Sequence, residues 1–259
     1  IMTRNYFSVT EIAGNKVTKE QMDRMYHRYY WASRYCKNKN VIELACGTGP
    51  GLGLINNIAS NLIASDIDDE ILLIAKNYYK SRIKIEHANA TLLPYNNNSI
   101  DIIIIFEAIY YLENFQIFID ECVRVLTNNG KLLISSANSD LFDFNPSPYS
   151  FEYYGVRELS KKLKNSKFES KFYGYLSIKE VSLIQRVLRP IKKILVAFNI
   201  FPKSMKAKEF LKKIVFGSLV TMPNELSEDY NYIEPTIIDS AKPNKDFKVI
   251  YCEATINNK

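Results

Sequence analysis

An acid inside an apolar run, just ahead of a glycine turn, is an uncommon place for a charge. Residues 41–45 are apolar except for Glu43, and glycines follow at 47, 49 and 51 before Leu52, Gly53, Leu54 and Ile55 open a helical pattern. Strand, glycine turn and helix make a pocket where backbone N–H groups and a helix N-terminus can meet an anionic group. Glycine is needed because a Cβ would hold the ligand away from the backbone. Nicotinamide and flavin folds carry such turns too, but their first strand is usually wholly apolar, so Glu43 points elsewhere. Further acids stand at the ends of later apolar runs: Asp66 and Asp68 after 61–66, and Glu107 after 100–106. Histidines occur only at 27 and 87 and cysteines at 36, 46, 122 and 252, a spacing that supports neither zinc nor disulfides. No metal is expected, and Cys46 fills a turn position where any small residue serves.

Glu43, Leu44, Ala45, Cys46, Gly47, Thr48 and Gly49 together resemble the first motif of class I S-adenosylmethionine-dependent methyltransferases. The resemblance continues in order along the chain. Asp66 stands where the family's acid accepts both ribose hydroxyls, and Ile67 where a residue flanks the adenine. Asn89 and Ala90, followed by Leu93 and Pro94, resemble the family's Asp-Ala and Leu-Pro segment. Asn89 replaces the acid that takes the adenine amino group, and an amide oxygen can accept the same hydrogen bond without charge assistance. Glu121, Arg124, Val125, Leu126 and Gly130 resemble a structural join of the family, with Asn129 replacing its first glycine. The resemblance covers about 40 to 175. It implies S-adenosylmethionine as cofactor and S-adenosylhomocysteine as product. Implied cofactor contacts are Glu43, Ala45, Gly47, Thr48, Gly49, Asp66, Ile67, Asn89, Ala90 and Phe106.

Such chemistry requires a nucleophile held in line with the methyl group and, where needed, a base for its proton. An amine needs no strong base; a sugar hydroxyl gains greatly from one. Glu107 and Tyr110 are placed to bound the transfer zone. His27 has a suitable pKa range, and Glu107 can serve if burial raises its pKa; His87 lies inside a strand, a poor place for a base. Three segments then resemble methyltransferases found among bacterial surface-polysaccharide enzymes: residues 26–31 (Tyr-His-Arg-Tyr-Tyr-Trp), 106–112 (Phe-Glu-Ala-Ile-Tyr-Tyr-Leu) and 144–148 (Phe-Asn-Pro-Ser-Pro). That resemblance implies a small-molecule or saccharide acceptor, nucleotide-linked or lipid-linked, bound by Tyr30, Tyr111, Asn138, Asn145 and Tyr149.

These residues need a frame. Thr18 can cap a helix, with Gln21 completing a capping box, and Met22, Met25, Tyr29, Ala32 and Cys36 form its packing stripe. Off that stripe, His27, Tyr30, Trp31 and Arg34 are expected to fold over the cofactor as a lid. Residues 5–17 read as an irregular arm. From Asn40 onward strands (40–45, 61–66, 83–87, 100–106, 130–136, 168–173, 247–255) alternate with helices (51–59, 69–80, 114–126, 155–165), with Asp68 capping the second helix. This predicts an α/β fold: a doubly wound, seven-stranded, mostly parallel, Rossmann-like methyltransferase sheet. Ligands bind where the strand order reverses. The expected division is 1–38 arm and lid, 39–178 core, 179–246 basic helical insertion and loop, and 247–259 last core strand.

At 259 residues, 47% hydrophobic and 24% charged, the chain reads as a soluble globular protein. No charged-then-apolar signal pattern opens it, and no apolar run nears the ~18 residues of a membrane span. The cytoplasm, or the inner face of its membrane, is the expected location. Residues 179–213 hold ten Lys and Arg against two acids, a net +8, whereas the whole chain carries +6. Apolar residues recur there at helical spacing around Pro190, so the insertion is either a packed helical piece with a solvated basic face or a surface for an anionic partner. Nucleic acid is a rival partner, but the remainder is net acidic and has no appended RNA-binding module. A module that binds the cofactor without chemistry is a second rival. Oligomeric state is not legible.

Overall fold

A computed structural model describes residues 10–179 and 219–257. The basic insertion expected at 179–213 therefore lies, apart from Lys179, outside the described residues. In chain order the elements are β1 (Lys16–Thr18), α1 (Lys19–Cys36), β2 (Asn40–Leu44), α2 (Leu52–Asn56), β3 (Asn61–Asp66), α3 (Asp69–Tyr79), β4 (Lys84–His87), β5 (Ile100–Phe106), α4 (Phe115–Val125), β6 (Leu126–Ala137), α5 (Val156–Asn165), β7 (Phe168–Ser177), β8 (Leu219–Thr221), β9 (Thr236–Ile238) and β10 (Phe247–Ile256).

One sheet runs β4-β3-β2-β5-β6-β10-β7-β9. Neighbours from β4 to β6 are parallel, and β10 is antiparallel to both β6 and β7. The seven expected strands form this sheet, and its order reverses between β2 and β5, which opens a crevice beyond their carboxyl ends. Two parts depart from expectation. The stretch 179–246, expected as insertion and loop, supplies β9, an edge strand on β7 from Gly174 to Phe172; Thr236, Ile237 and Ile238 are a β-branched run suited to a strand. The arm supplies β1, which pairs with β8 just past the undescribed segment.

Side-chain parity along the strands decides which helices cover which residues. Ile42, Leu44, Ile103 and Ile105 pack in one cluster with Phe118, Cys122 and Leu159 of α4 and α5. Val41, Ile102 and Ile104 point the other way and join Met25, Tyr29 and Trp31 of α1 with Leu52, Ile55 and Leu72. Glu43 shares the parity of Val41, so its carboxylate is directed to the α1 side. Each fully buried apolar side chain contributes about 1.5–3 kcal/mol.

The lid is corrected by α1. Trp31 and His27 are fully buried, with Trp31 stacked on Tyr251 at 4.9 Å between ring centres and His27 on Tyr175 at 3.5 Å. Sequence periodicity assigned α1 one packing stripe, but the helix lies between the sheet and the 226–234 segment and buries two. Its start follows expectation: Gln21 N–H donates to Thr18 Oγ1 (3.1 Å) while Thr18 N–H donates to Gln21 Oε1 (3.0 Å). Thr18→Ala is expected to lower stability by about 1 kcal/mol, read as an earlier urea midpoint with an unchanged slope.

Candidate active site

A cavity of about 1040 Å³ opens at the crevice between β2 and β5. That is the upper end of the roughly 300–1000 Å³ usual for small-molecule sites. At the β2 end Ala45 turns out of the strand at φ 54°, and at the β5 end Glu107 does so at φ 51°. Non-glycine residues rarely adopt that left-handed conformation, and such strain collects at ligand sites.

The glycine turn approaches the ligand space closely at Gly47. It has φ 60°, and a Cβ there would come within 3.2 Å of Thr10. Gly47 N–H donates to Asp66 Oδ2 (2.9 Å), and Asp68 N–H donates to Asp66 Oδ1 (3.1 Å). Thus one carboxylate ties the turn after β2 to the turn after β3. Asp68 caps α3 as expected, accepting from Glu70 and Ile71 N–H. The other glycines pack: a Cβ on Gly51 would enter the ring of Tyr29. Helix α2 is a single short piece, and Leu226 N–H donates to Pro50 O (2.7 Å) in front of it. The expected anion-binding helix N-terminus is not what this turn presents.

Of the residues expected to contact the cofactor, Glu43, Ala45, Gly47, Asp66, Ile67, Asn89, Ala90 and Phe106 line the cavity. Ile67 is half-exposed there, a flat apolar wall beside Asp66. Thr48 and Gly49 do not line it. Thr48 Oγ1 donates to Glu11 O (3.2 Å), and Gly49 O accepts from Tyr79 (2.6 Å), so both hold the turn from behind. Asn89 lines the cavity, but its Oδ1 already accepts from Thr91 N–H (2.9 Å) and Thr91 Oγ1 (2.8 Å). With both lone pairs used, the amide oxygen is not the free acceptor that the sequence suggested.

Glu43 is buried, and Tyr29 OH donates to its Oε1 at 2.5 Å. Oε2 is buried with no hydrogen-bond partner among the described residues. Burial pushes the Glu43 carboxyl up to about 7, against the pull of the Tyr29 hydroxyl and the Arg28 charge. Cys46 is buried beside these acids and its thiol is pushed well up, which makes it a filler and not a nucleophile.

The other end of the cavity is built from Arg24, Arg28, Glu107, Tyr110 and Tyr111. Arg24 Nη2 donates to Glu107 Oε1 (3.1 Å), as does Ser135 Oγ (3.2 Å), and Tyr110 OH donates to Oε2 (3.3 Å). Arg28 Nη2 donates to Glu11 Oε2 (2.7 Å). Burial alone would raise the Glu107 carboxyl, but Arg24, Arg28 and these hydrogen bonds outweigh it and hold the group below the ordinary carboxylate range. The condition for Glu107 as a base near neutrality is therefore reversed: it stays ionised and orients what it touches. Burial beside Glu107 pushes the Tyr110 hydroxyl well up, so it remains a donor.

His27 does not reach the cavity. Its Nε2 lies 2.7 Å from Ile233 O and its Nδ1 2.9 Å from Tyr251 OH, which makes Nε2–H the donor and Nδ1 the acceptor in a neutral ring. Burial lowers its pKa further. It pins a segment to the core and is corrected from base to structural residue. Among the acceptor residues only Tyr111 lines the cavity. Tyr30 faces Ser227 and Tyr230 on the outer side of α1. Asn138 is buried and donates to Asn244 O and Phe247 O (both 2.8 Å), closing a turn. Asn145 and Tyr149 are exposed on their loop, and neither lines the cavity. What sequence reasoning missed is Gln21, Arg24 and Arg28. They recur at helical spacing as one polar stripe on α1 beside the Met25 and Tyr29 face, and that stripe is the signal.

Residues 42–134 match the family model described as a methyltransferase domain. The chain is 30% identical over 154 residues to a Mycolicibacterium smegmatis protein named as a probable S-adenosylmethionine-dependent methyltransferase, covering 54% of this chain and 60% of that one. A Mycobacterium tuberculosis protein of the same name is 32% identical over 123 residues, 44% of each chain. The chain thus spans about half the length of these relatives. Among solved structures, the YcgJ protein from Bacillus subtilis superposes with a TM-score of 0.58 at 14% identity, covering 90% of this chain and all of that one. A chain from the complex of the Haloferax volcanii Trm112 methyltransferase activator with its partner does so at 0.60 and 12% identity, covering 93% of both. The sheet described above is the Rossmann-like methyltransferase fold of these neighbours.

Proposed function

We propose, from the methyltransferase domain at residues 42–134, that this protein transfers a methyl group from S-adenosylmethionine to a small polar acceptor. The observation that carries this is the pair of carboxylates at the ends of adjacent parallel strands, Glu43 on β2 and Asp66 on β3, both lining one cavity, with Asp66 tied to Gly47 of the turn after β2. The cofactor supplies an electrophilic methyl on a positively charged sulfur. The residues present fit it: a buried acceptor on Glu43 with no hydrogen-bond partner among the described residues, a carboxylate on Asp66 for the ribose hydroxyls, and the half-exposed Ile67 for the adenine face. The lining also bears eight carboxylates against two arginines, a field that favours a cationic ligand and opposes a polyanion such as RNA at the mouth.

At the acceptor end Glu107 holds an ionised carboxylate between Arg24 and Ser135, with the Tyr110 ring stacked on Tyr153 at 4.0 Å. Ionised side chains and flat aromatic walls suit the hydroxyls and faces of a sugar, which supports the saccharide acceptor. Glu107, as the ionised group there, would accept a hydrogen bond from the attacking group and orient it. The low pKa of Glu107 favours an acceptor atom, such as an amine, that needs little help in losing its proton. The basic insertion supports contact with a phosphate-bearing form of that acceptor, or with the membrane face where lipid-linked sugars reside.

S-adenosylhomocysteine at 100 times its Kd is expected to stabilise the protein by about 2.7 kcal/mol, read as a rise in melting temperature, and NAD to leave it unchanged. Stabilisation by NAD instead would overturn the proposal. Homocysteine release across a panel of nucleotide sugars and amines then assigns the acceptor.

A further inference from the structure

Glu43 and α1 are joined by one hydrogen bond that neither the glycine motif nor the fold requires. Tyr29 OH donates to Glu43 Oε1 at 2.5 Å, while Oε2 has no hydrogen-bond partner among the described residues. The Tyr29 ring cannot swing away. It is 2% exposed, it fills the space that a side chain on Gly51 would need, and it packs edge-to-face with Phe106 at 5.3 Å and 86°. Burial pushes the Tyr29 hydroxyl well up, so it stays protonated and donates its hydrogen bond to Glu43 Oε1.

We propose that Tyr29 is a positioning residue for Glu43, holding one carboxylate oxygen so that the other is kept for the positive charge of the cofactor, and that loading the cofactor expels a proton from Glu43. The ligand's identity rests on the methyl-transfer reading; the coupling itself does not. The groups that face Glu43 are Tyr29 and Arg28 from α1, Asp66 from β3, and the thiols of Cys36 and Cys46. Burial and Asp66 favour the neutral acid, and Tyr29 and Arg28 favour the carboxylate. With the free protein's group near 7, Glu43 is mostly neutral below that pH and ionised above it. A cationic ligand prefers the ionised form. Affinity therefore rises with pH, by about tenfold per unit on the acid side, and levels off once the free protein is ionised.

The experiment is calorimetric titration with S-adenosylmethionine, which carries the sulfonium charge, from pH 5.5 to 8.5 for the wild type, Tyr29→Phe, Glu43→Gln and the double variant. The wild type is expected to show a step near neutrality. In Tyr29→Phe the step moves up by about one pH unit, the equivalent of one lost hydrogen bond to the carboxylate. Glu43→Gln shows no step, and adding Tyr29→Phe to it restores none. Repeating the titration at pH 6 in two buffers of different ionisation enthalpy counts the proton: about one is released by the wild type and none by Glu43→Gln. This second measurement keeps the proton release falsifiable even if Tyr29→Phe does not fold. Wild-type binding with an unmoved step in Tyr29→Phe, or proton release that survives in Glu43→Gln, overturns this inference alone. No wild-type binding at any pH overturns it together with the cofactor reading.

Discussion

Trp31→Ala is expected to lower unfolding stability by about 3–5 kcal/mol while leaving the affinity of the folded protein for S-adenosylhomocysteine within about twofold. Trp31 is fully buried, stacked on Tyr251 and edge-on to Tyr35 (5.6 Å, 68°) and Tyr173 (6.1 Å, 62°). Truncation leaves a cavity between α1, β7 and β10 that rigid strands cannot close. The indole Nε1 has no partner among the described residues, so Trp31→Phe removes an unpaired donor along with some volume and is expected to cost a fraction of the alanine change. Urea unfolding of both variants gives the energies, and titration of the folded fraction gives the affinities. A Trp31→Ala protein of wild-type stability that no longer binds the ligand would restore the lid that the aromatic sequence suggested.

Why that lid was read, and the arginines beside it missed, has a physical cause. In a parallel sheet covered by helices on both sides the strands are buried on both faces, so apolar runs such as 100–106 announce themselves. The ligand crevice follows from strand order alone. Glu43, Asp66, Ile67 and Glu107 were legible for that reason: each sits at, or one residue beyond, the end of a strand beside the reversal, except Glu43, whose acid in an apolar run is its own signal. Helix α1 breaks the rule that one stripe is buried, because residues about 200 positions later return over its outer side. Tyr26 meets Ser227 at 3.0 Å, and Arg34 pairs with Glu234. No local pattern contains that return. His27, Tyr30 and Trp31 therefore looked surplus and were assigned to function, and Arg24 and Arg28 were given no role. The same limit applies to Asn89, whose oxygen is claimed by a turn two residues long that sequence leaves optional, and to Asn138, which closes a turn onto residues 244 and 247.

Asp66→Ala is expected to weaken S-adenosylhomocysteine binding by about 1.5–3 kcal/mol, roughly 10- to 150-fold. Two effects add. The ribose hydroxyls lose a charged acceptor, and Gly47 N–H and Asp68 N–H lose the oxygens that fix the turns after β2 and β3. Asp66→Asn separates them. An amide keeps one oxygen that can hold Gly47 N–H, so the turn stays in place, while the charge and one acceptor toward the ribose are gone. If positioning the turn dominates, Asn recovers most of the lost affinity; if the charge on the ribose hydroxyls dominates, Asn behaves like Ala. Asp66 is held up by burial yet pulled down by the Gly47 and Asp68 N–H groups, so its net raised pKa also gives the alanine variant a signature in the absence of ligand. In the wild type the folded state binds this proton more readily than the unfolded chain, so the group's contribution to stability falls as pH rises through the interval between the two values. Removing it flattens that part of the acid-side stability curve. Unchanged affinity in both variants would mean that the ligand does not lie along β3, and the assignment of the whole cavity would fall with it.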